Sequence, residues 1–400
     1  MKTMEESGYF DGYTDEESGE TGVEIYGRDV IHLNGKVTSK TPLLTAAQDF
    51  AGAINELFQS GSGGGDEWTF PEHWPEIPEP APNQVVVYLE AEEPGYGFPV
   101  QFYSHLSDDY FGGGTIDWGD GTVDTVVGGD TTVSHAIVAH QYTAAGQYIA
   151  TITCGTDETG IYAAYLNNSF AGGVSSSSLR QKWVKAIKVG SLVETCASSN
   201  ESVNGSNYAA FSWYVNIVYL KFLGKPLYCY FSNMIYMKKI EFGADIAKLP
   251  IYAFSGCNNL ERADFTGKIS EIPQYAFQSC NALKSVDLSS TITIGSRAFQ
   301  SCFQLKSVTT PLLTEIQGIY AFSNCYSLKS FNAPLLTAMA NQSFSNSYSG
   351  LKTFEAPMLA EIGQNEFSNC FALEKLVLAE GCNYNGNTFS SCQLLYPKPQ

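Results

Sequence analysis

Three observations make this a mainly β chain that ends in a solenoid. From Met237 to Leu395 one short pattern recurs, with its leading residue at Met237, Leu260, Leu283, Leu305, Leu328, Leu351, Leu373 and Leu395, in steps of 22 or 23 residues. A fixed period of that size marks stacked coils, each of which buries its apolar side only against its neighbours. Tyr and Phe number 24 each while charged helix formers are few, a mix that favours strands. From Gln84 onward, residues 85–89 and 98–103 read as strands separated by glycine turns. The predicted architecture is an N-terminal strand-helix anchor, a β-sandwich and a C-terminal solenoid.

Each solenoid copy has two halves. The first is a strand L-x-x-φ-x-φ, such as Leu283, Val286, Leu288, whose fourth and sixth residues alternate onto the inward face. The second reads A-F-x-x-C, as in Ala253-Phe254…Cys257, Ala276-Phe277…Cys280, Ala298-Phe299…Cys302 and Ala321-Phe322…Cys325. A Phe in every turn predicts an aromatic spine along the convex side. The copies resemble leucine-rich repeats of the bacterial surface-antigen type. Their departures are Ser347 in place of Cys and the loss of alanine at Ser343, Glu366 and Thr388.

The formal charge is −19, from 41 acidic and 22 basic residues, which speaks against nucleic acid because phosphate binding needs clustered Lys and Arg. The first twenty residues carry seven carboxylates and one lysine, unlike a secretory signal, and no 18-residue apolar run occurs, so no membrane insertion is expected. Six of ten cysteines share one repeat position: Cys257, Cys280, Cys302, Cys325, Cys370 and Cys392. Stacked about 4.8 Å apart, they fall outside disulfide geometry and read as buried free thiols. No C-x-x-C pair points to zinc.

In chain order, residues 1–60 read as a virion-docking or oligomerisation segment. Residues 1–22 form an acidic arm, 23–37 are strand-like, and Thr41-Pro42 opens a helix. The helix stripe Leu43, Leu44, Phe50, Ile54, Leu57 and Phe58 has no cover within its own segment and predicts self-association, with a trimer favoured. The run GKVTSKTPLLTAAQDFAGAINELF is similar to N-terminal segments of structural proteins from tailed bacteriophages, which implies docking onto other virion proteins. Residues 61–83 are a Gly-rich and then Pro-rich linker, expected to hold the rest of the chain away from its anchor. A sandwich over 84–158, a connector over 159–182 and the solenoid over 183–396 follow. Within the last, residues 183–189 and 217–222 read as its first two strands.

The stretches TIDWGDGTVDT and HQYTAAGQYIATITC resemble the PKD-type immunoglobulin-like domain through Trp118, Gly119, Asp120, Gly121, His140, Tyr142, Gly146 and Tyr148. Asp120 is explained by a turn in which its side chain bonds nearby amides. The alternative is a calcium loop of Asp117, Asp120 and Asp124, since hard cations want clustered carboxylates; no other cofactor is implied.

No catalytic motif stands out: the five histidines are scattered, and G-x-S-x-G, phosphate loops and H-E-x-x-H are absent. What the repeats offer is surface. Third and fifth strand positions face outward, giving Arg262 and Asp264, Ser285 and Asp287, Ser307 and Thr309, Ser330 and Asn332. The second position adds a ladder of Lys284, Lys306, Lys329 and Lys352. It reads either as solvated charges whose stems cover the core edge or as a strip for an anionic cell-wall polymer. The expectation is a non-enzymatic virion fibre or adhesin on the virion surface, displaying both modules toward a bacterial envelope glycan or protein. A bacterial cell-surface adhesin is the alternative, and a polysaccharide depolymerase the third.

Overall fold

The computed structural model describes residues 10–14, 21–25, 29–32, 68–101, 110–130, 137–155, 162–166, 183–197, 201–203, 206–208, 216–224, 231–243, 246, 249–348, 350–384, 388–389 and 391–395. Among these there is no α-helix. The predicted helix with Leu43, Leu44, Phe50, Ile54, Leu57 and Phe58 lies outside the described residues, as does the QSGSGGG joint.

The chain divides into two units, residues 1–48 and 49–400. In the first, β1 (Phe10–Thr14), β2 (Thr21–Ile25) and β3 (Asp29–His32) form an antiparallel sheet with Phe10 opposite Ile25 and Val23 opposite Ile31. The acidic arm thus already contains β1 and the start of β2. Its carboxylates fall mostly outside the strands, and β1 carries only Asp11.

The second unit begins with a sandwich. β4 (Gln84–Ala91), β5 (Gly95–Gln101), β6 (Tyr110–Asp117), β7 (Val123–Asp130), β8 (Ile137–Tyr142), β9 (Gly146–Cys154) and β10 (Tyr162–Leu166) precede β11 (Val184–Val189) and β12 (Val193–Ala197). One sheet carries the order β4-β9-β6-β7 and the other β12-β10-β5-β8. Val85, Val87, Leu89, Phe98, Val100, Ile116, Trp118, Tyr142 and Ile152 belong to one buried core.

The turn after β6 is built from its own side chains. Gly119 N donates to Asp117 Oδ1 (2.9 Å), Thr122 N to Asp120 Oδ1 (3.0 Å) and Trp118 Nε1 to Asp124 Oδ2 (2.8 Å). His140 Nε2 bonds Asp120 Oδ2 at 2.7 Å while its ring stacks on Trp118. Burial opposes ionisation of Asp120, but hydrogen bonds from Thr122 and His140 outweigh it and hold the carboxyl below its usual range. Gly119 has φ +80, and a Cβ there would meet the Ile149 carbonyl oxygen at 2.4 Å, so glycine is required. The three carboxylates therefore work as turn acceptors, and among the described residues no acidic or thiol cluster could hold a metal.

After the hairpin of β13 (Glu201–Val203) and β14 (Ser206–Tyr208), the solenoid strands β15 (Tyr219–Phe222), β16 (Lys239–Phe242) and β17 (Arg262–Phe265) pair in parallel. Strands Ser285–Asp287 and Ser307–Thr309 continue the same sheet. Here β11 is the pivot. It pairs parallel with β15 on one side and antiparallel with β4 on the other, with Ile187 opposite Val87 and Val189 opposite Val85. Sandwich and solenoid consequently share one ten-stranded sheet. An open solenoid end exposes unpaired strand groups, and here β4 covers that edge.

The proline-rich stretch does not stand off as a spacer. Residues 68–80 fold back over the outer face of β4, β11 and β15, where Ile77, Val86, Tyr88, Ala186 and Tyr219 make a second core that Trp68 and Trp74 pack against. Lys188 Nζ donates to the Ile77 carbonyl (2.7 Å) and to Glu79 Oε1 (2.8 Å), and Lys221 Nζ reaches the same carboxylate at 3.0 Å. Burial opposes the Glu79 charge, yet the two lysines hold its pKa below normal. This cover explains why β4 reads as a continuous apolar run: both of its faces are buried. Gly190 lets the chain pass, since a Cβ there would meet the Ala81 carbonyl oxygen at 2.2 Å.

Along the solenoid every leading residue, Met237 through Leu395, is buried. Phe231, Phe254, Phe277, Phe299, Phe322, Phe344, Phe367 and Phe389 stack in sequence with centroids 4.9–6.1 Å apart. The repeat cysteines are free, and each thiol donates to the carbonyl of the Phe one turn earlier, as Cys280 Sγ does to Phe254 (3.1 Å). Ser347 bonds Phe344 within its own turn instead (3.0 Å). Each regular turn also carries two left-handed residues, exemplified by Tyr275 and Ser279 (φ 59 and 60).

One core position breaks the pattern. Glu366 stands where other turns place alanine, is fully buried, accepts from Ser343 N at 2.8 Å through Oε2, and leaves Oε1 unbonded. Burial pushes its pKa up to about 8, against the Ser343 bond. Because the folded value lies above the usual 4.5, the folded state holds a proton that the unfolded chain has lost.

Two outcomes follow from this core. Phe299→Ala removes a spine ring and should cost about 3–5 kcal/mol by chemical denaturation; an unchanged midpoint would mean the spine does not carry the stack. The native protein should lose stability as pH rises from the ordinary carboxylate range to about 8, on the order of 5 kcal/mol, with no further loss from this group above that. Glu366→Gln should flatten that slope in thermal melts, and an identical slope in the variant would contradict the assignment.

Candidate functional site

Alternation along each solenoid strand aims one set of side chains into the core and the other onto the outer face of the parallel sheet. The register Tyr219, Lys239, Arg262, Ser285, Ser307 forms one outward column, and Lys221, Glu241, Asp264, Asp287, Thr309 begins the next. A separate sheet of Ser330–Asn332, Thr353–Ala356 and Lys375–Leu378 continues both, with Ser330 opposite Thr353 and Asn332 opposite Glu355. The ladder is interrupted between Ser307–Thr309 and Ser330–Asn332, where Thr310 Oγ1 donates to the Asn332 carbonyl at 2.9 Å.

The face has three stretches. At its start stands the wall made by residues 68–80, with Trp68 stacked on Tyr219 and Phe70 edge-on to it. Next comes a lattice of paired charges: Lys239 with Glu241 (2.6 Å) and Asp264 (3.6 Å), and Arg262 with Asp264 (2.6 Å). The sequence places Arg262 and Asp264 on the outward face as contact residues; the structure bonds them to each other and half-buries both. Beyond them Ser285, Asp287, Ser307, Thr309, Ser330 and Asn332 are exposed, as the sequence predicts.

The lysine ladder is resolved into unequal members. Lys284 bonds Glu261 at 2.8 Å and Lys238 bonds the same carboxylate at 3.1 Å, holding Glu261 below its normal pKa despite its burial. At the far end Lys352 pairs with Glu374 at 3.6 Å. The full column reads Lys238, Glu261, Lys284, Lys306, Lys329, Lys352, Glu374, so cations accumulate toward Lys306 and Lys329, both exposed.

A band that the sequence reading overlooked lies on the opposite flank of the same strands. Leu312, Leu335 and Met358 are 48%, 40% and 51% exposed in consecutive turns, each following a proline at Pro311, Pro334 or Pro357. Its signal was present as LKSVTTPLL, LKSFNAPLL and LKTFEAPML, three copies whose exposed letters repeat as well as their core letters. Attention to the core positions alone passed over it.

Burial pushes the Cys257 and Cys154 thiols up to about 12, opposite to the direction an attacking thiolate needs. No helix among the described residues is long and apolar enough to cross a membrane.

Comparison with known proteins bears on the solenoid. No curated protein matches the chain. Among solved structures, it is similar to a leucine-rich repeat protein from Bacteroides ovatus (16% identity, 73% of this chain and 81% of that one, TM-score 0.35). It is also similar to the T. pallidum leucine-rich repeat protein (16%, 57% and 88%, TM-score 0.29). A third is a leucine-rich cell surface protein from Faecalibacterium prausnitzii (13%, 53% and 89%, TM-score 0.18). Scores this low leave the assignment to the repeats themselves. Residues 227–318 and 292–398 match the model of the BspA type leucine rich repeat region, in six copies, so the solenoid is similar to repeats of that type.

Proposed function

We propose that the protein is a surface-displayed, non-enzymatic binding protein of the adhesin kind, which recognises a bacterial envelope component through the outer face of its solenoid sheet. The observation that carries this reading is the row of exposed short polar residues, Ser285 through Asn332, set on a sheet whose preceding rungs are locked by ion pairs and whose start is walled by residues 68–80. Short side chains on a fixed backbone lose little freedom on binding, which favours recognition by shape. Buried thiols of raised pKa and turn-bound carboxylates agree with a role that involves no covalent chemistry.

Two sites of display have support of different kinds. The segment resembling tailed-phage docking sequences favours a virion, with residues 1–60 holding other virion proteins and the 43–58 stripe joining three copies. The repeat family favours a bacterial cell surface. Mass spectrometry of purified phage particles and of washed cell envelopes separates the two, because the chain should be found in one fraction and be absent from the other.

The binding role itself is tested by occluding the face. Thr309→Trp with Asn332→Trp should lower binding of the full chain to envelope preparations by about tenfold or more, with an unchanged melting point. Undiminished binding by the folded variant, or release of soluble oligosaccharide from the envelope by the native chain, would defeat the proposal.

A further inference from the structure

The charge of this chain is unevenly spread. Between Asp287 and Glu355 the sequence has one carboxylate, Glu315, against Arg297, Lys306, Lys329 and Lys352, a net of +3 that leaves −22 for the remainder of the −19 total. Glu315 lies in the strand Glu315–Ile316, which belongs to a different sheet from the outer-face strands. The fifth-position column shows the same gap at residue level. It runs Lys221, Glu241, Asp264, Asp287, Thr309, Asn332, Glu355, Val377, so between the acidic rungs at Glu241 and Glu355 only Thr309 and Asn332 lack an acid.

Those two rungs also carry all three bands. Lys306 and Lys329 stand on one flank, Ser307, Thr309, Ser330 and Asn332 in the middle, and Leu312 and Leu335 on the other flank behind their prolines. The core of a turn constrains only the buried letters, yet here the exposed ones repeat too. Identical surroundings one turn apart suit a ligand that itself repeats along the solenoid axis. Its unit must offer an anion to the lysine, hydroxyls to the short polar residues and a carbon-rich face to the leucine. Although the outer-face ladder is interrupted here, the same two turns pair as neighbouring strands in the other sheet, with Glu315 opposite Ala338, so the step is about 4.8 Å, close to one sugar ring in an extended chain.

We propose that the surface formed by Lys306, Thr309, Leu312, Lys329, Asn332 and Leu335 binds an acidic polysaccharide, two adjacent uronic acid units at a time. This rests on the recognition role proposed above and names its ligand class. The carboxylates Asp287 and Glu355 at the borders repel a chain shifted out of register, which confines the strongest contact to the two neutral rungs. The overall negative charge is screened beyond about 8 Å at physiological salt, so the local cations decide.

The test is calorimetric titration of the full chain with oligogalacturonate, beside a neutral gluco-oligosaccharide of equal length, polyglutamate and polyphosphate. Oligogalacturonate should bind about tenfold or more tightly than any of the three. Lys306→Gln with Lys329→Gln should weaken it about tenfold and flatten its salt dependence. Leu312→Ser with Leu335→Ser should weaken it with the salt dependence retained, and Thr309→Asp with Asn332→Asp should abolish it. Lys284→Gln, one turn outside the two neutral rungs and beside the Asp287 rung, should change it little. Equal binding of polyglutamate or polyphosphate would reduce the patch to ion exchange and overturn the proposal, as would indifference to the lysine or leucine changes in variants that melt normally. If envelope binding persists while oligogalacturonate fails to bind, the ligand class falls and the recognition role stands; loss of both on occluding the face with tryptophan but intact uronate binding in the Asp variants would also place the ligand elsewhere on that face and refute the assignment.

Discussion

A parallel strand whose edge groups meet no partner cannot close a solenoid, and the pairing of β4 with β11 meets that requirement. Its ladder from Val85 opposite Val189 to Val87 opposite Ile187 turns two modules into one sheet. The apolar character of β4 follows from it. One side of the strand faces the sandwich core through Val85, Val87 and Leu89, and the other is covered by Ile77, Trp74 and Trp68. The buried ammonium of Lys188 is tolerated at that junction because the Ile77 carbonyl and Glu79 receive it.

The repeats were legible because their core letters recur. Leading leucines, the Phe spine and the stacked thiols fall where the 22- and 23-residue spacing put them, and the outward residues from Ser285 to Asn332 are exposed. The strands over 183–189 and 217–222 were legible from their apolar runs. What the spacing could not convey was contact between distant segments. Proline density in 71–82 implies a stiff extended chain whether that chain is free or lies on a sheet, and only the position of Tyr88 and Tyr219 decides that it lies down. Likewise the lysine ladder looked uniform because Glu261 and Glu374 occupy the same column in turns where lysine is replaced. The apolar flank at Leu312, Leu335 and Met358 escaped notice because exposed letters were read as free to vary.

The proposed function rests on how the outer face is partitioned. Where the rungs are long and charged they are spent on one another, as in Lys239, Glu241, Arg262 and Asp264. Where they are short, at Ser307, Thr309, Ser330 and Asn332, the face is open and flanked by cations and leucines. The solenoid interior is stacked Phe rings and protonated thiols bonded to carbonyls, which fixes the spacing of everything displayed outside it. The recognition proposed for this surface is a matter of spacing and charge.

Native-state hydrogen exchange of the full chain tests the shared sheet most directly. The amides of Val85 to Leu89 and of Ile187 to Val189 should exchange together, in the slowest class and with one common denaturant dependence. Separate exchange of the β4 and β11 amides, with one set opening while the other stays protected, would show that sandwich and solenoid are independent bodies and would contradict the account.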